Sequence, residues 1–198
     1  MKKFDDNIMT YINIFLKRYF NQDITYKDLK AITDKISVEY MPKGTVLIKE
    51  GEIHNCGYYI IKGLSRSFYL KNGSEINFWF DRENNPIGSL ENYFGRKSKV
   101  SVELLEDSIL LKSDINALKK DSENSFITNY FLRVVIEEYA EFLENRLYTL
   151  QFKTSKEKYI HILKNDPDLL KRVSLTHIAS YLGISRETLS RLRAEAIL

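Results

Sequence analysis

The sequence predicts a mixed α+β chain, in which a β jelly roll with flanking helices is followed by one long helix and an all-α unit closing in a helix-turn-helix. Three observations predict it. Near the start, Ile8, Tyr11, Ile12, Phe15, Leu16 and Tyr19 recur at three- and four-residue intervals, the spacing of one helix face. From Tyr40 to Ser113 the pattern shortens to brief apolar runs broken by turn residues, as in a sandwich or jelly roll. After Ser125 the helical period returns and persists.

The first helix ends at the Asn21-Gln22-Asp23 break, and a second short helix is expected in YKDLKAITDKI, residues 26–36. The strands follow as TVLIKE, GYYIIKG, SRSFYL, INFWF, VSVELLE and SILLKS, separated by Pro42-Lys43-Gly44, Lys62-Gly63, Asn72-Gly73 and Pro86-Ile87-Gly88. Asn72-Gly73 marks a hairpin, because both residues tolerate positive φ. In INFWF, alternation sends Ile76, Phe78 and Phe80 to one face and Asn77 and Trp79 to the other. One face is expected to be core, and the opposite one to line an effector pocket or pack on a helix. DINALKKDSENS, residues 114–125, reads as an interruption before the long helix.

Along that helix Leu132, Ile136, Tyr139, Leu143, Leu147 and Leu150 form one stripe, while Phe131, Val135 and Phe142 sit beside it. A single buried face needs one stripe only; two predict that one packs on the strand domain and the other meets a second copy of the chain. The expected domains are 1–125, 126–150 and 151–198.

Bulk properties narrow the function. The net charge is +3, but residues 151–198 carry nine Lys or Arg against five Asp or Glu, a bias suited to a polyanion. No apolar run approaches the roughly 20 residues that span a bilayer. Asp5 and Asp6 interrupt what would be a leader, so the expected location is cytoplasmic. Cys56 is the only cysteine, which excludes an intramolecular disulfide and any thiolate-held cluster within one chain. His54, His161 and His177 lack metal-ligand spacing, and the strand region contains only His54. A metal-dependent jelly-roll enzyme would need several converging histidines; no enzyme, metal or cofactor is expected.

The carboxyl-terminal segment is the most informative. TSKEKYIHILKNDPDLLKRV reads as helix with a break at Asp166-Pro167, where Asp caps and Pro takes the first helical position. In SLTHIASYLGISRETLSRLR, Ile178, Ala179 and Leu182 share a face, Gly183 and Ile184 make a turn, and Leu189 and Leu192 resume the apolar face. Small Ala179 permits a close helix crossing, and Gly183 can take the left-handed conformation of a sharp interhelical turn. Ser185 caps a second helix whose first turn holds Arg186, Glu187 and Thr188, with Ser190 and Arg191 on the next. Arginine can donate twice to guanine, glutamate can accept from cytosine, and serine or threonine can hold phosphate oxygens. The candidate DNA-binding residues are therefore Ser185, Arg186, Glu187, Thr188, Ser190 and Arg191.

ASYLGISRETLSRLR closely resembles the DNA-reading helix pair of the Crp/Fnr family of bacterial transcription regulators. KGTVLIKEGE and GYYIIKGLSR resemble that family's cyclic-nucleotide-binding-like jelly roll. The resemblance implies base reading by Arg186, Glu187 and Arg191, a dimer helix ending near Leu150, and a fold of cyclic-nucleotide-binding-like domain plus helix-turn-helix. Two departures stand out. After Arg193 the sequence shows only AEAIL, so the family's small β wing is expected to be absent or reduced. Members that hold cyclic AMP use Gly-Glu-Leu and Arg-Ser or Arg-Thr, where this chain has Gly88-Ser89-Leu90 and Lys97-Ser98-Lys99. Serine supplies no carboxylate, and lysine is a point charge rather than a planar fork. The expectation is a homodimeric, sequence-specific regulator of double-stranded DNA whose effector, if any, is an unknown small molecule other than cyclic AMP. The alternative is a sensor module that binds a cyclic nucleotide or another small anion without reading DNA.

Overall fold

The computed structural model describes residues 6–20 and 34–196. Most of the helix expected over 26–36 lies outside these residues, and its last one, Ile36, opens a strand instead.

Helix α1 (Asp6–Tyr19) buries Phe15, Leu16 and Tyr19 in one cluster with Tyr59 and Leu111. Phe15 meets Tyr59 edge-on, with ring centroids 5.0 Å apart, the arrangement that ring quadrupoles favour. Eight strands follow: β1 (Ile36–Met41), β2 (Val46–Ile48), β3 (Cys56–Lys62), β4 (Leu64–Lys71), β5 (Ser74–Arg82), β6 (Pro86–Ile87), β7 (Ser101–Leu104) and β8 (Ser108–Asp114). They form two four-stranded sheets, ordered β1-β8-β3-β6 and β2-β7-β4-β5. Leu47, Ile48, Val102 and Leu104 from the second sheet and Ile60, Ile87 and Leu110 from the first share one buried cluster, so the sheets pack face to face.

β1 departs from the sequence pattern, in which the strands open at Tyr40. Its pairing is with β8, from Ile36 opposite Ser113 to Met41 opposite Ser108. A partner more than sixty residues away leaves no local signature. The hairpin between β4 and β5 does turn at Asn72 (φ 51°) and Gly73 (φ 77°). Gly63 (φ +123°) joins β3 to β4, and a Cβ there would lie 2.1 Å from Ser108 Oγ.

Residues 114–125 are not merely an interruption. Asp114 Oδ1 accepts from Ala117 N at 2.9 Å and caps α3 (Ile115–Ser122), which buries Ile115 and Leu118. Two apolar anchors are too few to raise a helical period. A further short helix, α2 (Leu90–Tyr93), lies between β6 and β7.

α4 (Phe126–Phe152) spans 27 residues. Ile127, Phe131, Val134 and Val135 pack on the α1 cluster, as expected of one stripe. Of the other stripe, Leu132, Ile136, Tyr139 and Leu143 are half-buried, while Leu147 and Leu150 are 56% and 42% exposed. Tyr148 and Phe152 are exposed beside them.

Contacts divide the chain into two compact units, one holding residues 1–67 and 80–137 and the other residues 68–79 and 138–198. The second unit joins the end of the β4–β5 hairpin, the second half of α4 and four more helices: α5 (Ser155–Asn165), α6 (Leu169–Arg172), α7 (Leu175–Leu182) and α8 (Arg186–Ala196). α5 begins with a reciprocal cap between Thr154 and Glu157. Asp166 Oδ1 accepts from Leu169 N at 3.3 Å, yet Pro167 lies in the turn before α6 rather than inside a helix.

Along β5 the deepest residues are not the aromatics. Ile76, Phe78, Trp79 and Phe80 are half-buried, whereas Asn77 and Asp81 are 3% and 6% exposed. On the face that carries Asn77 and Trp79, expected to line an effector pocket or pack on a helix, Trp79 is stacked against Tyr139 and packed on Phe142 of α4. Alternation located the two faces, but it could not tell which would be covered by a helix.

Candidate nucleic-acid interface

The site grows from two caps and one turn. Ser174 Oγ accepts from His177 N at 3.2 Å and starts α7. Gly183, at φ 69° and ψ 35°, ends it in the left-handed region, where a Cβ is sterically costly. Ile184 N then bonds to Ala179 O at 3.0 Å, closing the turn tightly. Ser185 Oγ accepts from Thr188 N at 3.1 Å and caps α8. Ile178, Ala179, Leu182 and Leu189 are all buried, at 0%, 2%, 1% and 0% exposure. They fix the crossing of α7 and α8 and leave the opposite face of α8 outward.

That outward face carries four of the six expected residues. Arg186, Glu187, Ser190 and Arg191 are exposed and line one open concavity. The other two serve the helix itself: Ser185 and Thr188 lie with their hydroxyls 3.1 Å apart in the cap. Glu187 stands in the first turn, where its own backbone amide and the Ser185 hydroxyl hold its carboxyl below the ordinary value. It is therefore an ionised acceptor at neutral pH, flanked by two guanidinium groups that contribute to the same lowering. The surface offers two planar donors, one charged acceptor and one hydroxyl on successive turns.

The candidate effector loop has a different character. Gly88 is exposed, Ser89 and Leu90 are half-buried, and Lys97 and Lys99 point outward. Ser98 is 3% exposed, with its hydroxyl 3.3 Å from Ser89 Oγ and donating to Val100 O at 2.7 Å. The structure thus brings the two serines together and leaves the two lysines apart from them. Glu91, unnoticed in the sequence, binds Arg96 Nε at 2.7 Å and Lys99 Nζ at 2.8 Å. Those bonds hold its carboxyl low, the Lys99 bond most strongly. Asn92 is 2% exposed and its side-chain amide has no protein partner among the described residues.

Arg146 and Ser180 also escaped sequence reading. Arg146 of α4 donates through Nη2 to Tyr181 O, and its guanidinium lies 3.9 Å over the Tyr181 ring. Burial pushes its pKa below the usual arginine value. A charged residue on an apolar helix was the only available signal, and it resembles any solvated arginine.

No protein-family model and no curated protein sequence matches the chain. Solved structures do. FixK2 from Bradyrhizobium japonicum superposes with a TM-score of 0.71 at 20% identity, over 81% of this chain and 83% of that one. A protein assigned to the Crp/Fnr family of transcriptional regulators, from Eubacterium rectale, gives 0.71 at 17% identity, over 91% and 88%. The chain has the Crp/Fnr fold. That fold is not confined to transcriptional regulators. The cyclic-AMP-bound regulatory domain of a Toxoplasma gondii protein kinase matches at a TM-score of 0.55 and 14% identity, over 80% of this chain and 59% of that one. The Crp/Fnr fold therefore frames the function, and the site must carry the rest of the argument. Among the described residues no helix is long and apolar enough to cross a membrane.

Proposed function

We propose that the chain is a sequence-specific regulator of transcription that binds double-stranded DNA as a homodimer. The observation that carries this reading is the α7–α8 pair, which buries Leu189 completely and turns Arg186, Glu187, Ser190 and Arg191 outward on one surface. Two arginines and a carboxylate on the first two turns of an exposed helix face suit base edges in the major groove. Ser185 and Thr188 keep that start rigid. The kinase-type alternative, a sensor without a DNA role, gives this capped and exposed surface no purpose.

The dimer reading is supported by α4, whose Leu147, Tyr148, Leu150 and Phe152 are exposed on a helix apolar on more than one side. A second copy along Leu132, Ile136, Tyr139, Leu143, Leu147 and Leu150 would cover that stripe. For two-fold half-sites the reading helices must then lie about 34 Å apart. A bound effector would switch DNA binding only by preferring one dimer geometry.

Cyclic AMP is a poor candidate for that effector. Ser89 offers no carboxylate, and the neighbouring Glu91 is occupied by Arg96 and Lys99, so an arriving phosphate would have to displace an existing ion pair. Selection of bound sequences from a random duplex pool tests the function directly. The expected outcome is a two-fold symmetric site with half-sites one helical turn apart; recovery of no preferred sequence would reject it.

A further inference from the structure

β5 is the outermost strand of its sheet, and an edge strand leaves backbone N–H and C=O groups without a strand partner. Two of these groups, on residues two apart and so on the same side of the strand, meet a single hydroxyl. Ser180 Oγ accepts from Asn77 N at 2.9 Å and donates to Glu75 O at 3.3 Å. One serine of α7 thereby takes the place that a neighbouring strand would fill. The next residue, Tyr181, is held from another direction: Arg146 of α4 donates to its carbonyl and covers its ring. Arg146 Nε is buried without a partner among the described residues, so the Tyr181 carbonyl is a principal compensation for a half-buried guanidinium.

Both attachments fall on the last turn of α7, immediately before the Gly183 turn that delivers α8. We propose that Ser180 and Arg146 are positioning residues that hold the helix-turn-helix in one orientation on the β4–β5 hairpin and on α4. Neither belongs to the outward face of α8. Displacing the hairpin tip or rotating α4 carries α7 with it, and with α7 the reading helix. The inference rests on the proposed function only for its consequence on DNA; the attachment itself is measurable in the free protein.

Amide hydrogen exchange on the full chain reads the first attachment. In Ser180→Ala, the Asn77 amide should exchange about tenfold faster, as expected for one lost hydrogen bond. Ser180→Thr, which keeps the hydroxyl, should restore the slow rate, and the Leu189 amide inside α8 should not change in either. Unaltered exchange at Asn77, or equal acceleration at Leu189, overturns the proposal. Spin labels at Lys71→Cys and Ala194→Cys, in a Cys56→Ser background and diluted with unlabelled chain, read both attachments together. One narrow distance should broaden when Ser180→Ala and Arg146→Gln are combined. A distribution that stays equally narrow also overturns it. On the duplex recovered from the random pool, the same pair should weaken binding more than on scrambled sequence. Failure of the unaltered protein to bind any duplex would reject the functional reading, while exchange and distance still decide the attachment.

Discussion

Two glycines with positive φ allow the same substitution to be weighed against two different surroundings. At Gly183 an added Cβ meets nothing within 4 Å. Ala there costs only left-handed backbone strain, about 1–2 kcal/mol, offset by about 0.4–1 kcal/mol from a less flexible unfolded chain. The net loss for Gly183→Ala is therefore about 1 kcal/mol, and Gly183→Asn should lose less, because Asn tolerates this region. At Gly63 the Cβ would stand 2.1 Å from Ser108 Oγ, 2.7 Å from Ser108 Cβ and 3.1 Å from its Cα. The side-chain hydroxyl could rotate away, but the Cβ and Cα belong to the start of β8 and cannot move without shifting the strand. Backbone strain of about 1–3 kcal/mol adds to overpacking of about 1–3 kcal/mol, so Gly63→Ala should lose roughly 2–6 kcal/mol before the same unfolded-chain offset of about 0.4–1 kcal/mol. Urea unfolding of both variants, read by circular dichroism, separates the cases. If Gly63→Ala proves no more destabilising than Gly183→Ala, the packing of the β3–β4 connection against β8 is wrong.

Other expectations are simpler. Leu189→Ala removes a side chain that is 0% exposed and should destabilise the helix-turn-helix by about 2–5 kcal/mol, seen as a lowered urea midpoint; an unchanged midpoint would contradict the helix crossing. His161 has its pKa pushed below the ordinary value by burial and by nearby Lys153. Its neutral form is favoured in the folded chain, so its contribution is complete above the ordinary histidine range and lost as pH falls through it. The stability of the chain relative to His161→Gln should accordingly decrease between pH 7.5 and pH 5, and a difference independent of pH would refute the assignment. Calorimetry with cyclic AMP should show no tight binding, and a sub-micromolar site would show that Glu91 yields its ion pairs to phosphate.

Much of this architecture was legible wherever the physics is local. Asn72-Gly73 can hardly be anything but a hairpin, and the Ala179, Gly183 and Ser185 spacing specifies its own crossing, turn and cap. What escaped depended on distant partners. Ile36–Met41 becomes a strand only because β8 lies beside it. Asn77 and Asp81 are buried on an edge strand, and the Asn77 backbone amide finds its acceptor on Ser180, more than a hundred residues away. In the candidate site, exposed Arg186 and Arg191 followed from the helical period, but nothing nearby in sequence could assign Thr188 to the cap rather than to a partner. Glu91 was missed for the opposite reason: Gly88-Ser89-Leu90 lacks a carboxylate, and the one next to it shows its role only through its bonds to Arg96 and Lys99.

The reading surface itself can be tested with two duplexes and two variants. Arg186→Ala and Arg191→Ala should each reduce the preference for the selected duplex over a scrambled one by about 1–3 kcal/mol per lost bidentate contact, at fixed salt and with the urea midpoint unchanged. If both variants keep the full preference of the unaltered chain, α8 does not read bases and the central claim fails.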